Sequence, residues 1–107
     1  MIEDLTPRQV ADRLRGTEPP ALIDVREPWE FQTARIAGAQ HIPLGQLPSR
    51  LGDLPVGRPI VLYCHHGTRS MQAAHWLSDH GFAQLASLAG GIDAWSLTVD
   101  PAVPRYR

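Results

Sequence analysis

The sequence predicts a single α/β domain with a central, mainly parallel sheet and helices on both faces. Three observations lead there. Short apolar runs at 21–25, 59–63 and 85–88 alternate with segments of helical spacing. The runs have no polar alternation, as expected of strands covered on both sides. The chain is 107 residues long, which suits one domain over 1–107 that buries about two-thirds of its unfolded surface.

The elements follow in order. Thr6 suits an N-cap, Pro7 the first helical position, and Gln9 completes a capping box. Leu5, Val10 and Leu14 form a short apolar stripe that Gly16 ends. Ala21-Leu22-Ile23-Asp24-Val25 reads as a buried strand that delivers polar residues at its carboxyl end, and Pro28 opens a brief helix through Phe31. Gln40 to Pro43 is a further short strand, and Leu44, Leu47 and Leu51 keep helical spacing despite Pro48. Pro59 to Tyr63 is the strongest strand. Met71 to His80 reads as a helix with Met71, Ala74 and Leu77 on one side and Gly81 as its stop. Leu85 to Leu88 is a last strand, and Gly90 to Trp95 turns into a short helix. The proline-rich tail, 98–107, is expected to be extended.

Composition narrows the function. Hydrophobic residues make up 43% and charged residues 20%, ordinary for a soluble globular protein. A net charge of -1 gives no global field for nucleic acid or an anionic membrane. One cysteine cannot form an internal disulfide or a multi-cysteine zinc cluster. The acidic start, Met1-Ile2-Glu3-Asp4, lacks the pattern of a signal peptide, and no apolar run is long enough to span a bilayer. The expectation is a cytoplasmic protein.

The chemistry is concentrated after the strongest strand, in Cys64-His65-His66-Gly67-Thr68-Arg69-Ser70. Ligands of parallel sheets sit beyond the carboxyl ends of strands. Backbone N–H groups of such a loop and of the helix that follows have no intrahelical partners and form an anion cradle. A thiol in such a cradle tends to ionise. Gly67 permits a tight turn, Arg69 adds positive charge, and Thr68 and Ser70 add hydroxyl donors. A lone cysteine is commonly just a small core residue, but this position between apolar strand and polar loop favours a nucleophile.

Tyr63 to Ser70 resembles the active-site loop of single-domain rhodaneses. Leu22 to Glu27 with Glu30-Phe31 resembles that family's first signature, and Ile36 to Pro43 its second. Leu88-Ala89-Gly90-Gly91-Ile92-Asp93-Ala94-Trp95 resembles its C-terminal signature. The resemblance covers nearly the whole chain in order. It implies a sulfurtransferase in which the Cys64 thiolate takes the sulfane sulfur of a persulfide donor or of a small donor such as thiosulfate, the latter releasing sulfite. A thiol, cyanide or a protein then accepts the sulfur, and no metal or organic cofactor is required. The loop from His65 through Ser70 would hold the persulfide, with Arg69 as electrostatic support.

Other residues are weighed against plainer roles. Related folds with longer loops act as phosphatases, whose chemistry wants Cys-x5-Arg; here Arg69 follows Cys64 after four residues and Ser70 takes the phosphatase arginine's place. Ala34-Arg35 departs from the family's usual Gly-His. His65 and His66 either tune the cup near neutral pH or simply face solvent. No metal site is read, because adjacent histidines are expected to diverge and no second ligand cluster has zinc spacing. His75 and His80 are expected in solvent, and His41 simply hydrogen-bonded. Asp24 and Arg26 are supporting residues at a strand end, placed to brace the cysteine loop by hydrogen bonds and read with Glu30 as a structural salt bridge in preference to substrate contact. Trp29, Trp76 and Trp95 are core or rim aromatics.

Two alternatives stay open. One is a protein-to-protein sulfur carrier in cofactor or tRNA sulfuration, because Asp100 to Tyr106 is similar to the tails of rhodanese domains attached to adenylating enzymes. The other is a non-catalytic rhodanese-like binding module, although modules of that kind usually lack the cysteine.

Overall fold

The computed structural model describes residues 2–107, so Met1, the first residue of the expected span, lies outside the described residues. Five strands form one wholly parallel sheet: β1 (Glu3–Leu5), β2 (Ala21–Asp24), β3 (Gln40–His41), β4 (Ile60–Tyr63) and β5 (Leu85–Leu88). Their spatial order is β1-β5-β4-β2-β3. Four helices join them: α1 (Pro7–Leu14), α2 (Pro28–Thr33), α3 (Thr68–Asp79) and α4 (Gly91–Thr98). Residues 44–49 and 51–53 form two 3-10 turns, since Pro48 lacks the N–H that an α-helix would use.

The covered strands behave as their apolar runs predict. In β4, Val61 and Tyr63 face one layer, while Ile60, Leu62 and the following Cys64 face the other. The first layer holds Val10 and Ala11 of α1 with Ile92 and Trp95 of α4. The second holds Ala73, Ala74 and Leu77 of α3 with Leu47 and Leu54. Helices therefore cover both faces.

Three expectations change. Leu5 does not extend the α1 stripe; it ends β1, an edge strand too short and too acidic to carry a strand signal. Thr6 does cap α1, accepting from the Gln9 backbone N–H at 3.2 Å while its own N–H donates to Gln9 Oε1 at 2.9 Å. The third helix starts at Thr68 rather than Met71, so Thr68, Arg69 and Ser70 form its first turn. The tail begins within α4 at Thr98, turns at 101–103 and returns over the carboxyl end of the sheet, with Val103 buried and Ser96 Oγ donating to its carbonyl at 2.6 Å.

The strand order positions the site. After β2 the chain moves outward to β3; after β4 it moves the opposite way to β5. The two connections diverge and leave a crevice between the carboxyl ends of β2 and β4. Residues 25–30 line one side of it and residues 64–70 the other.

Candidate functional site

Cys64 follows β4 directly, and its side chain lies at the floor of the loop, only 1% exposed. Two backbone N–H groups converge on its sulfur, Gly67 at 3.1 Å and Ser70 at 3.3 Å. In its thiol form Sγ donates to Ser70 Oγ at 3.5 Å. Donors aimed at one sulfur are what negative charge there requires.

The loop keeps its shape through glycine. Gly67 turns it with φ of 108°. Gly91 lies against it from the other side: a Cβ there would overlap the carbonyl oxygens of Cys64 and His65. That contact lets Ile92 N–H donate to the Cys64 carbonyl at 2.8 Å and Asp93 N–H to the His65 carbonyl at 3.2 Å. The first turn of α4 thus takes up the carbonyls of the loop while its amides turn inward.

Behind the sulfur lies a hydroxyl chain. Ser70 Oγ donates to the Gly67 carbonyl at 3.1 Å and shares a 2.8 Å hydrogen bond with Ser87 Oγ of β5. Ser70 and Ser87 are fully buried. Sequence reasoning misses Ser87, whose one signal is a lone polar residue inside an apolar strand.

Arg69 faces Glu30 across the crevice in a two-pronged ion pair, with N–O distances of 2.7 and 2.9 Å. Its charge is therefore shared with a carboxylate rather than free in the cup. Burial by itself would raise the Glu30 carboxyl, but Arg69, the Tyr106 hydroxyl and the Glu27 backbone N–H together bring it down to about 2.

Asp24 and Arg26 form a fully buried salt bridge at 2.6 Å, as the sequence suggests. Neither touches the cysteine loop directly. Arg26 also donates to the carbonyls of Glu30 and Ala34 and to Tyr106 Oη, so it fastens the chain after β2. Ala34-Arg35 falls in this segment, where the Ala34 carbonyl serves as that acceptor.

The histidines depart from expectation. His65 and His66 do not diverge; their rings stack with centroids 3.9 Å apart, and Tyr106 stacks on the other face of His65 at 4.0 Å. His66 is exposed, whereas His65 is half-buried. Burial, then the neighbouring His66, lowers the His65 pKa. Among the described residues, His65 Nε2 is the buried side-chain polar atom without a hydrogen-bond partner. His65, His66 and Asp93 bring possible ligand atoms within 4.8 Å of one another. His66 Nε2 lies 3.9 Å from Asp93 Oδ2, and Arg105 holds the other oxygen of Asp93 at 2.9 Å.

The remaining candidates are plain. His75 and His80 are exposed, and His41 Nε2–H donates to the Arg26 carbonyl at 2.7 Å. Thr68 is exposed at the start of α3. Trp95 is core, Trp76 half-buried, and Trp29 exposed with its ring edge-on to Tyr106. Among the described residues no helix is long and apolar enough to cross a membrane.

Known proteins resemble this chain in sequence and fold. The family model for the Rhodanese-like domain matches residues 6–98. A sulfurtransferase of Allochromatium vinosum is 34% identical over 96 residues, covering 90% of each chain. The probable adenylyltransferase/sulfurtransferase MoeZ of Mycobacterium tuberculosis is 40% identical over 104 residues, which span 95% of this chain but 26% of that relative. The crystal structure of a rhodanese-related protein from Thermoplasma volcanium superposes with a TM-score of 0.83 at 26% identity, covering 97% of this chain and 99% of the other.

Proposed function

The chain belongs to the rhodanese-like domain family, and on that premise we propose that it is a sulfurtransferase carrying a sulfane sulfur on Cys64 as a persulfide. The observation that carries this reading is the pair of N–H donors from Gly67 and Ser70 on Cys64 Sγ. Donors so placed stabilise a thiolate before transfer, and their neighbours along the loop can follow the charge outward onto a terminal sulfur.

The cycle balances in two displacements. The Cys64 thiolate attacks the outer sulfur of thiosulfate; a new S–S bond forms, and the old one breaks with its electron pair leaving on sulfite. An acceptor nucleophile then attacks the terminal sulfur, and the Cys64–sulfur bond breaks to return the thiolate. With cyanide the product is thiocyanate. No electron is left over, so the cycle calls for no redox cofactor. Gly67 and Ser70 serve as donors to sulfur; His65, His66 and Thr68 border the loop; Arg69 works with Glu30 to hold the first turn of α3. Asp24 and Arg26 support the opposite wall. The domain is taken to include the tail, over 1–107. A nucleophile that must remain a free thiol suits a reducing compartment such as the cytoplasm.

The loop length argues against phosphoryl chemistry. The arginine that would fork onto a phosphate sits one position early and is held by Glu30.

Intact mass spectrometry tests the cycle. The purified protein should gain one sulfur from thiosulfate and lose it to cyanide, while Cys64→Ser should gain none. A wild-type protein that gains no sulfur from thiosulfate or from a protein persulfide would refute the assignment.

A second reading has its own support: the likeness to MoeZ extends over 95% of this chain. In that reading the sulfur comes from a protein persulfide and goes to a protein acceptor. Loading from a cysteine-desulfurase persulfide much faster than from thiosulfate would select the carrier role.

A further inference from the structure

Tyr106 lies in the tail, beyond residue 98 where the family match ends. Its hydroxyl donates to Glu30 Oε2 at 2.7 Å and accepts from an Arg26 guanidinium N–H at 2.9 Å. Its ring stacks on His65 with an interplanar angle of 12°. One side chain therefore touches the segment after β2, helix α2 and the cysteine loop. The tail is secured behind it by Val103, by the Ser96 hydrogen bond and by the ion pair of Arg105 with Asp93.

The hydrogen-bond inventory determines what the hydroxyl does. Arg26 can only donate, so the phenol oxygen must accept from it and has one proton left for Glu30. Glu30 Oε1 receives Arg69 and the Glu27 N–H; Oε2 receives Arg69 and Tyr106. Tyr106 thus completes the carboxylate that holds Arg69, and the residue after Arg69 is Ser70, whose N–H reaches Cys64 Sγ. Burial, then the Glu30 carboxylate, pushes the Tyr106 hydroxyl up to about 12, so the proton stays on it throughout the neutral range.

From this geometry we propose that Tyr106 is a positioning residue of the Cys64 loop, acting through Glu30 and Arg69 to place the Ser70 amide on the sulfur. The proposal rests on the sulfur-transfer reading for its consequence, though not for its geometry. It gives the tail a working part in a site that the matched segment alone does not complete.

The test uses the full chain with Tyr106→Phe, which keeps the ring on His65 and removes only the hydroxyl. Ile60→Val serves as the control, a core change at the amino end of β4, away from the loop. Amide hydrogen exchange at Gly67 and Ser70, the rate of sulfur gain from thiosulfate, and the thermal midpoint are measured together. Tyr106→Phe should exchange Ser70 about tenfold faster and load sulfur about tenfold more slowly, the scale of one hydrogen bond to a charged group. Ile60→Val, at equal or lower thermal midpoint, should match the wild type in both. On a Glu30→Gln background Tyr106→Phe should add little, because the two act along one path.

Wild-type exchange at Ser70 in Tyr106→Phe would overturn the proposal, and so would equal changes in Ile60→Val. If the wild type itself gains no sulfur from thiosulfate or from a protein persulfide, the sulfur-transfer reading fails, while the exchange comparison still decides the role of Tyr106.

Discussion

Cys64 Sγ receives two backbone amides and faces one hydroxyl, and each comes from the short stretch between Gly67 and Ser70. Such a cradle depends on the loop keeping its curvature. The charged residues nearby do a different job, since Arg69 commits its guanidinium to Glu30 and Arg26 commits its own to Asp24. The Asp24–Arg26 pair is wholly buried, so losing one partner strands the other charge. Arg26→Ala should cost about 3–5 kcal/mol of folding stability, read from urea unfolding. A loss within the range of an ordinary surface change would show that the pair contributes nothing beyond its own desolvation. At this scale the placement of Cys64 and its loop is legible in the sequence, because a cysteine between an apolar strand and a glycine-containing turn is a local pattern. Ser87 is not, since a buried serine has no sequence mark to distinguish it from a tolerated polar residue.

Among the elements, the β4 loop and α4 approach closely enough that a side chain at Gly91 has no room. Gly91, with φ of 62°, allows the first turn of α4 to seat against the Cys64 and His65 carbonyls. Gly91→Ala must either move those carbonyls or push α4 away, and should cost about 1–3 kcal/mol. It should also slow sulfur gain, because the same carbonyls set the direction of the loop amides. Unfolding and mass spectrometry on one sample would check both, and a destabilised variant that still loads at the wild-type rate would separate α4 packing from the site. Most element boundaries are legible: the α1 capping box, the apolar runs of β2, β4 and β5, and Pro28 at the start of α2. β1 is not legible, because three edge residues with an acidic majority acquire strand character only by pairing with β5. The early start of α3 is hidden as well, since Gly67, which turns the loop, also stands at the N-cap.

The whole molecule is joined across the crevice between β2 and β4, where Glu30, Arg69 and Tyr106 meet. This makes stability depend on acid in a defined direction. The Glu30 carboxyl is held at about 2, below its ordinary 4.5. A depressed folded-state pKa stabilises the protein above the ordinary value, and that stabilisation is lost as pH falls toward the folded one. The stability difference between wild type and Glu30→Gln should therefore be constant near neutral pH and narrow between about pH 4.5 and about 2. Urea unfolding across that range measures it. A difference that widened on acidification would contradict the sign.

By itself the sequence determined the order of elements after β1, the covered parallel strands, the buried cysteine at the end of β4 and the polar loop that follows it. These depend on periodicity, caps and turn residues, which act over a few positions and leave a visible pattern. Only the tertiary structure decided which charges meet. Arg69 finds Glu30 from 39 residues away, and Arg26 finds Tyr106 from 80. It likewise decided that two adjacent histidines stack beneath a tyrosine from the tail. The physical reason is the reversal of the chain at the β2–β4 crevice: strand order creates that proximity, and strand order has no local signature in the residues it brings together.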